Sequence, residues 1–181
     1  VVGSIEKDEF SYNNQGWVSE EVNYDNENGV WEEDTKTTYQ YDNDGNVLVA
    51  TDWDYEDGVW VNEEKVEFTY QGGKVVKSLE FVWTVNLWIE THLTEYMYDN
   101  HGDLVEELYY SKNGEGWTDD DKIVYSYDEN HNCVKMVEYD FSWDNQDWEI
   151  DNETVITYDL TVPSSAIAGL SYLEGDNVSI N

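Results

Sequence analysis

One phrase recurs along this chain with a spacing that leaves few folds open. Its clearest copy is Trp31-Glu-Glu-Asp-Thr-Lys36-Thr-Thr-Tyr39-Gln-Tyr41-Asp42-Asn-Asp-Gly45-Asn46. The second tyrosine returns at Tyr12, Tyr41, Tyr70, Tyr98, Tyr127 and Tyr158, in steps of 29, 29, 28, 29 and 31 residues. A tryptophan stands ten residues before five of them, at Trp31, Trp60, Trp88, Trp117 and Trp148. Phe10, Tyr39, Phe68, Tyr96, Tyr125 and Ile156 stand two before, and Lys7, Lys36, Lys65 and Lys122 five before. Fixed periods of this length mark an array of supersecondary units, each unable to bury its apolar face alone.

Each unit reads as a β-hairpin. Asn13-Asn-Gln-Gly16, Asp42-Asn-Asp-Gly45 and Asp99-Asn-His-Gly102 carry the Asx and Gly that a turn with a left-handed residue requires, with His131 replacing glycine in the fifth copy. A second turn falls at Asn28-Gly29, Asp57-Gly58, Val85-Asn86, Asn113-Gly114 and Asn145-Gln-Asp147. Between the two turns, Val18, Val47, Val75, Leu104 and Cys133 begin a strand. Val22, Thr51, Leu79, Leu108 and Val137 follow four residues on, and Tyr24, Trp53, Phe81, Tyr110 and Tyr139 two beyond those. Spacings of four and six place all three columns on one face of a regular strand. On the returning strand, unbroken alternation puts Trp60, Phe68 and Tyr70 on one face and Lys65 on the other. The acidic patch after each tryptophan, such as Asn62-Glu-Glu64, reads either as a bulge or as an exposed rim.

The expected fold is therefore all-β: an antiparallel meander of about eleven strands, built from tandem 28–31-residue hairpins. At about 4.8 Å per strand it spans roughly 50 Å. The array occupies residues 1–160 and opens mid-repeat; residues 161–181 form a non-repeat tail, a cap or the start of a further segment. So large an apolar face must be covered, which favours a single curled sheet, with a closed up-and-down barrel as the alternative.

Tyr39-Gln-Tyr41-Asp42-Asn-Asp-Gly45-Asn46 and Tyr96-Met-Tyr98-Asp99-Asn-His-Gly102-Asp103 resemble the Tyr-Asp signature of the YD (RHS-type) repeats. That resemblance implies tandem hairpins of secreted or surface bacterial proteins, whose sheets wind into spirals or shells. The unit here is longer than in the YD pattern and contains no arginine.

Charge bounds the partners. Forty-two acids face eight lysines, a formal charge of −34, which disfavours nucleic acid and anionic membrane surfaces. A membrane barrel would need a lipid-facing apolar band with far fewer acids. A chain beginning at Val1 suits a mature secreted protein, and the expected location is extracellular, cell-surface or periplasmic.

No catalytic constellation stands out, and the expectation is a protein that is not an enzyme. Acids are everywhere, so no carboxylate pair is distinguished. Cys133 is the single cysteine, in an apolar column, and His92, His101 and His131 show no metal-ligand spacing. No cofactor is expected. Asp42, Asp44, Asp25 and Glu27 resemble the start of a calcium loop, but Asp-Asn-Gly is also what a turn needs. Trp17, Trp83 and Trp143 lie outside the fixed tryptophan column and are the candidates for stacking on a ligand. The leading expectation is a secreted or surface scaffold acting in adhesion or binding, with a carbohydrate-binding module as the alternative. Its partners would be proteins or glycans, or a second copy docked through an aromatic face.

Overall fold

The computed structural model describes residues 5–27 and 29–158, so the tail at 161–181 lies outside the described residues. The described chain holds eleven strands and no helix. They are β1 (Glu6–Tyr12), β2 (Val18–Glu27), β3 (Val30–Tyr41), β4 (Val47–Glu56), β5 (Val59–Gln71) and β6 (Lys74–Thr84). After these come β7 (Leu87–Tyr98), β8 (Leu104–Asn113), β9 (Gly116–Tyr127), β10 (Cys133–Ser142) and β11 (Asp147–Val155). Strand order equals chain order, so the sheet is one antiparallel meander that does not close into a barrel. The described residues group into two compact units, the first running to Glu95 with Tyr110–Thr118, the second comprising Tyr96–Tyr109 and the residues from Asp119.

Two register shifts per hairpin correct the expected faces. The first follows the Asx turn. Gln40 pairs with Val49 but Tyr41 pairs with Val47, leaving Leu48 as the extra residue; β2 and β6 repeat this at Ser19 and Val76. A bulge reverses the alternation. Val47 therefore faces the same side as Tyr41, not the side of Thr51 and Trp53.

The second shift lies in the acidic patch. Thr51 pairs with Lys65 and Trp53 with Asn62, so the extra residue falls at Glu63–Glu64. The same step occurs at Asp34–Thr35, Thr91 and Asp151. The patch is a bulge. It turns Trp60 to the face of Lys65, away from Phe68 and Tyr70, the reverse of what unbroken alternation gives. One surface is thus a tryptophan face, carrying the lysines with Trp53, Trp60, Phe81 and Trp88. The other is a tyrosine face, carrying Tyr39, Tyr41, Phe68 and Tyr70.

Because apolar groups are split between two faces of one layer, little is fully buried. Among the described residues the buried apolar side chains are Leu93, Met136 and Val137. Leu93 occupies the position that is lysine at Lys7, Lys36, Lys65 and Lys122 and glutamate at Glu153 in the last copy.

The hairpin turns are well matched to their residues except in one place. Asp57-Gly58 has positive φ at both positions, 49° and 83°, as a type I′ turn requires. Val85 and Asn86 adopt the same conformation at 50° and 60°, and Val85 is 92% exposed. A β-branched residue is strained there by about 1–2 kcal/mol. Replacing Val85-Asn86 by Asn-Gly is expected to raise stability by about 1 kcal/mol in urea unfolding, with an unchanged m-value; a loss of stability would show that the valine is held by contacts that repay its backbone.

Candidate functional site

The tryptophan face carries the repeat's cations. Lys36 Nζ lies 5.0 Å from the Trp53 ring centre and 4.6 Å from that of Trp60. Lys65 sits 4.0 Å from Phe81 and 5.3 Å from Trp88, and Lys7 sits 3.9 Å from Tyr24 and 5.5 Å from Trp31. In the second unit Lys122 lies 4.5 Å from Tyr139 and 4.7 Å from Trp148. Where Leu93 replaces lysine, Lys112 reaches within 4.5 Å of Trp117 and bonds Glu90 at 2.5 Å. Lys7, Lys36, Lys65 and Lys122 are thus each wedged between an aromatic of the next strand and the tryptophan of the strand after. The Lys36 side chain is only 14% exposed, with Glu20 3.9 Å away. Desolvation at that depth makes a cation–π contact worth up to about 2 kcal/mol.

The tyrosine face is tied down by its hydroxyls. Tyr41, Tyr70, Tyr127 and Tyr158 donate to the carbonyls of Val18, Val47, Leu104 and Cys133 at 2.6, 3.0, 2.7 and 2.9 Å. Each bond ties the close of one unit to the first strand residue after the preceding turn. The first tyrosines meet carboxylates instead, as where Tyr125 donates to Glu107 at 2.6 Å, and Tyr109 on β8 donates to the same carboxylate at 2.6 Å. Burial, then the Glu107 carboxylate, pushes the Tyr109 hydroxyl well above the usual tyrosine range.

The calcium candidates resolve into turn chemistry in their geometry. The Asp42 carboxylate accepts from the backbone of Asp44 and Asn46 at 2.8 and 2.9 Å, and from the Asn46 amide at 2.8 Å. Asp99 and Asp128 repeat the pattern. These bonds, led by that from the Asn46 side chain, hold Asp42 below the usual carboxylate range. Asp44 is exposed, and Asp25 pairs in the ladder with Glu6 and Glu32. Glu27 lies at the end of β2. Among the described residues no three His, Cys, Asp or Glu side chains gather as metal ligands would.

The stacking candidates separate. Trp17 packs 5.2 Å from Tyr41 and lies over Gly45, where an added Cβ would meet its ring at 2.9 Å. Gly45 is thus needed twice, since its φ is also 91°. Trp83 meets Trp88 edge-on at 5.0 Å. Trp143 is 61% exposed, propped by Phe141 at 4.9 Å. Carboxyls meet in two places, Glu63 with Asp54 and Asp121 with Asp140. Burial, followed by neighbouring carboxylates, raises both Glu63 and Asp121. Cys133 is half-buried opposite Tyr127 and so belongs to the tyrosine face, not with Val137.

Two features escaped the sequence reading. The first is the lysine ladder, whose signal was the fixed lysine-to-tyrosine spacing. The second is a histidine pair: His101 and His131, in successive Asx turns of the second unit, have ring centres 5.0 Å apart. Their separation of about one repeat was the available clue. His131, rather than a neighbouring Asn, takes the left-handed conformation of that turn, with φ 63°.

No family model matches this chain, and no curated protein sequence matches it. Solved structures show distant likeness. A DUF3836 family protein from Bacteroides vulgatus ATCC 8482 is 15% identical, with 52% of this chain and 99% of that one covered and a TM-score of 0.46. A DUF3836 family protein from Parabacteroides distasonis ATCC 8503 is 17% identical over 45% of this chain and 77% of that one, at TM-score 0.40. A protein with unknown function from Bacteroides fragilis NCTC 9343 is 14% identical over 85% of this chain and 94% of that one, at TM-score 0.39.

Two outcomes test the ladder and the turns. Lys36→Met is expected to cost about 1–2 kcal/mol in urea unfolding, whereas Lys135→Met, which removes an exposed pair with Glu153, changes stability by less than about 0.5 kcal/mol. Because the folded Asp42 pKa lies below its unfolded value, its turn stabilises the fold above that unfolded value, and the contribution is lost as pH falls through the folded one. Asp42→Ala should therefore lower the Tm at neutral pH, and the gap from wild type should close in acid below about pH 3.9.

Proposed function

We propose that this chain is a non-enzymatic, secreted or cell-surface repeat scaffold that acts in adhesion or binding. The observation that carries this reading is the exposure of aromatic and aliphatic side chains on a single-layer sheet. Trp31 is 40% exposed and Trp143 61%, and Phe10, Tyr12, Tyr55 and Leu87 are exposed as well. Aromatic side chains held rigidly by a sheet make low-entropy contact anchors, and exposed apolar area of this kind marks interaction surfaces. The YD-like turn phrase supports the same reading by resemblance alone.

A glycan is the second reading, favoured by Trp143. Its ring is presented edge-supported by Phe141, beside Asp144 and by Asn145, whose amide donates to Glu149 at 2.5 Å. An exposed aromatic plate in a turn that also carries amide and carboxylate side chains suits a sugar face and its hydroxyls.

Surface-plasmon measurements of the purified chain over immobilised glycans and extracellular proteins test both. Retention is expected on at least one surface, falling roughly tenfold in Trp143→Ala or Trp31→Ala. Retention on glycans alone selects the second reading. Retention nowhere, or retention indifferent to both substitutions, rejects the aromatic surface as the working part.

A further inference from the structure

We propose that the Asx-turn rim of the second unit binds a transition ion of Zn²⁺ type through His101 and His131. The chain has three histidines, and the hairpin array sets two of them side by side on neighbouring turns, with ring centres 5.0 Å apart and planes at 62°. Each ring has a carboxylate at Nδ1. Asp103 Oδ2 lies 2.6 Å from His131 Nδ1, and Asp99 Oδ2 lies 3.5 Å from His101 Nδ1. A carboxylate only accepts, so in the neutral His131 ring the hydrogen sits on Nδ1 and the lone pair is kept on Nε2, while Asp99 stands at ion-pair distance from His101. Metal-binding histidines are held in this way, the outer carboxylate fixing tautomer and ring orientation.

The backbone adds a second argument. His131 occupies a left-handed position with φ 63° that Gly16, Gly45 and Gly102 fill elsewhere, so the imidazole is kept where glycine would be conformationally easier. His101, His131, Asp99, Asp103, Asp128 and Glu129 border one open hollow of about 310 Å³. Its carboxylates concentrate cations, while the paired imidazoles select borderline ions over the oxygen-seeking Mg²⁺ and Ca²⁺. The two rings supply two ligands; water, or a group from a bound partner, completes the shell, so the site is an open one.

The experiment is Zn²⁺ titration by calorimetry and by imidazole NMR, in physiological salt with excess Mg²⁺. Saturable uptake is expected, with the ring signals of His101 and His131 moving and those of His92 still. His131→Gly restores the residue used in equivalent turns, and His101→Asn places an Asx residue where Asp44 stands, so both variants should melt near wild type. Each should weaken Zn²⁺ by at least about tenfold, and Asp103→Asn, which keeps the Asn46-type side chain, by about tenfold. Absence of uptake, uptake abolished by Mg²⁺, equal movement of His92, or unchanged affinity in the doubly substituted chain would each overturn the site and leave only an ion atmosphere on the acidic surface.

Discussion

The structure depends on one extra residue per hairpin. Without the bulge in the acidic patch, tryptophan and both tyrosines would share a face, and the sheet would need a second layer to cover it. With the bulge, tryptophan turns to the lysine side and the tyrosines remain opposite. The apolar side chains are then divided between the two faces. Aromatics suit this arrangement, because a ring lying across neighbouring strands buries much of its area against the sheet itself. The bulge also explains why the patch is acidic. Its ladder is broken there, so charged side chains such as Glu63 and Asp34 stand where a regular pair would otherwise pack.

The same step gives the scarce cations a structural use. Forty-two acids repel one another, and eight lysines cannot neutralise them pair by pair. Placing lysines between rings lets each work in two ways, through the quadrupoles of the aromatics and through a nearby carboxylate such as Glu20 or Glu67. The fourth copy shows that the contact, rather than the sequence position, is what recurs. Leu93 is buried where lysine should be, and Lys112 supplies the ammonium to Trp117 from the adjacent strand.

Much of the fold was legible in the chain. Asn-Gly and Asp-Gly placed the tips, the Asx phrases placed the opposite turns, and the intervals between them fixed strand number and antiparallel order. A left-handed residue was readable in the fifth Asx turn, as His131 or a neighbouring Asn. Reading faces failed, and for a definite reason. Counting by twos assumes an unbroken pleat, and a one-residue insertion inverts every side chain beyond it. The patch at Asn62-Glu-Glu64 was ambiguous between bulge and rim, because acidity is compatible with both. All three stacking candidates touch a neighbouring ring, but Trp143 is exposed whereas Trp17 and Trp83 are half-buried. An interrupted spacing says that a tryptophan is unlike its repeat-mates, not what it touches.

The sequence by itself determined a tandem array of hairpins, its turns and its strand order, because those follow from local backbone preferences and a tyrosine phrase that occurs six times at near-constant spacing. Only the tertiary structure decided which face each column occupies, that lysines enter aromatic clefts, and that His101 meets His131. These are consequences of register between strands. Register is set by how two bulged strands align, and no single strand contains that information.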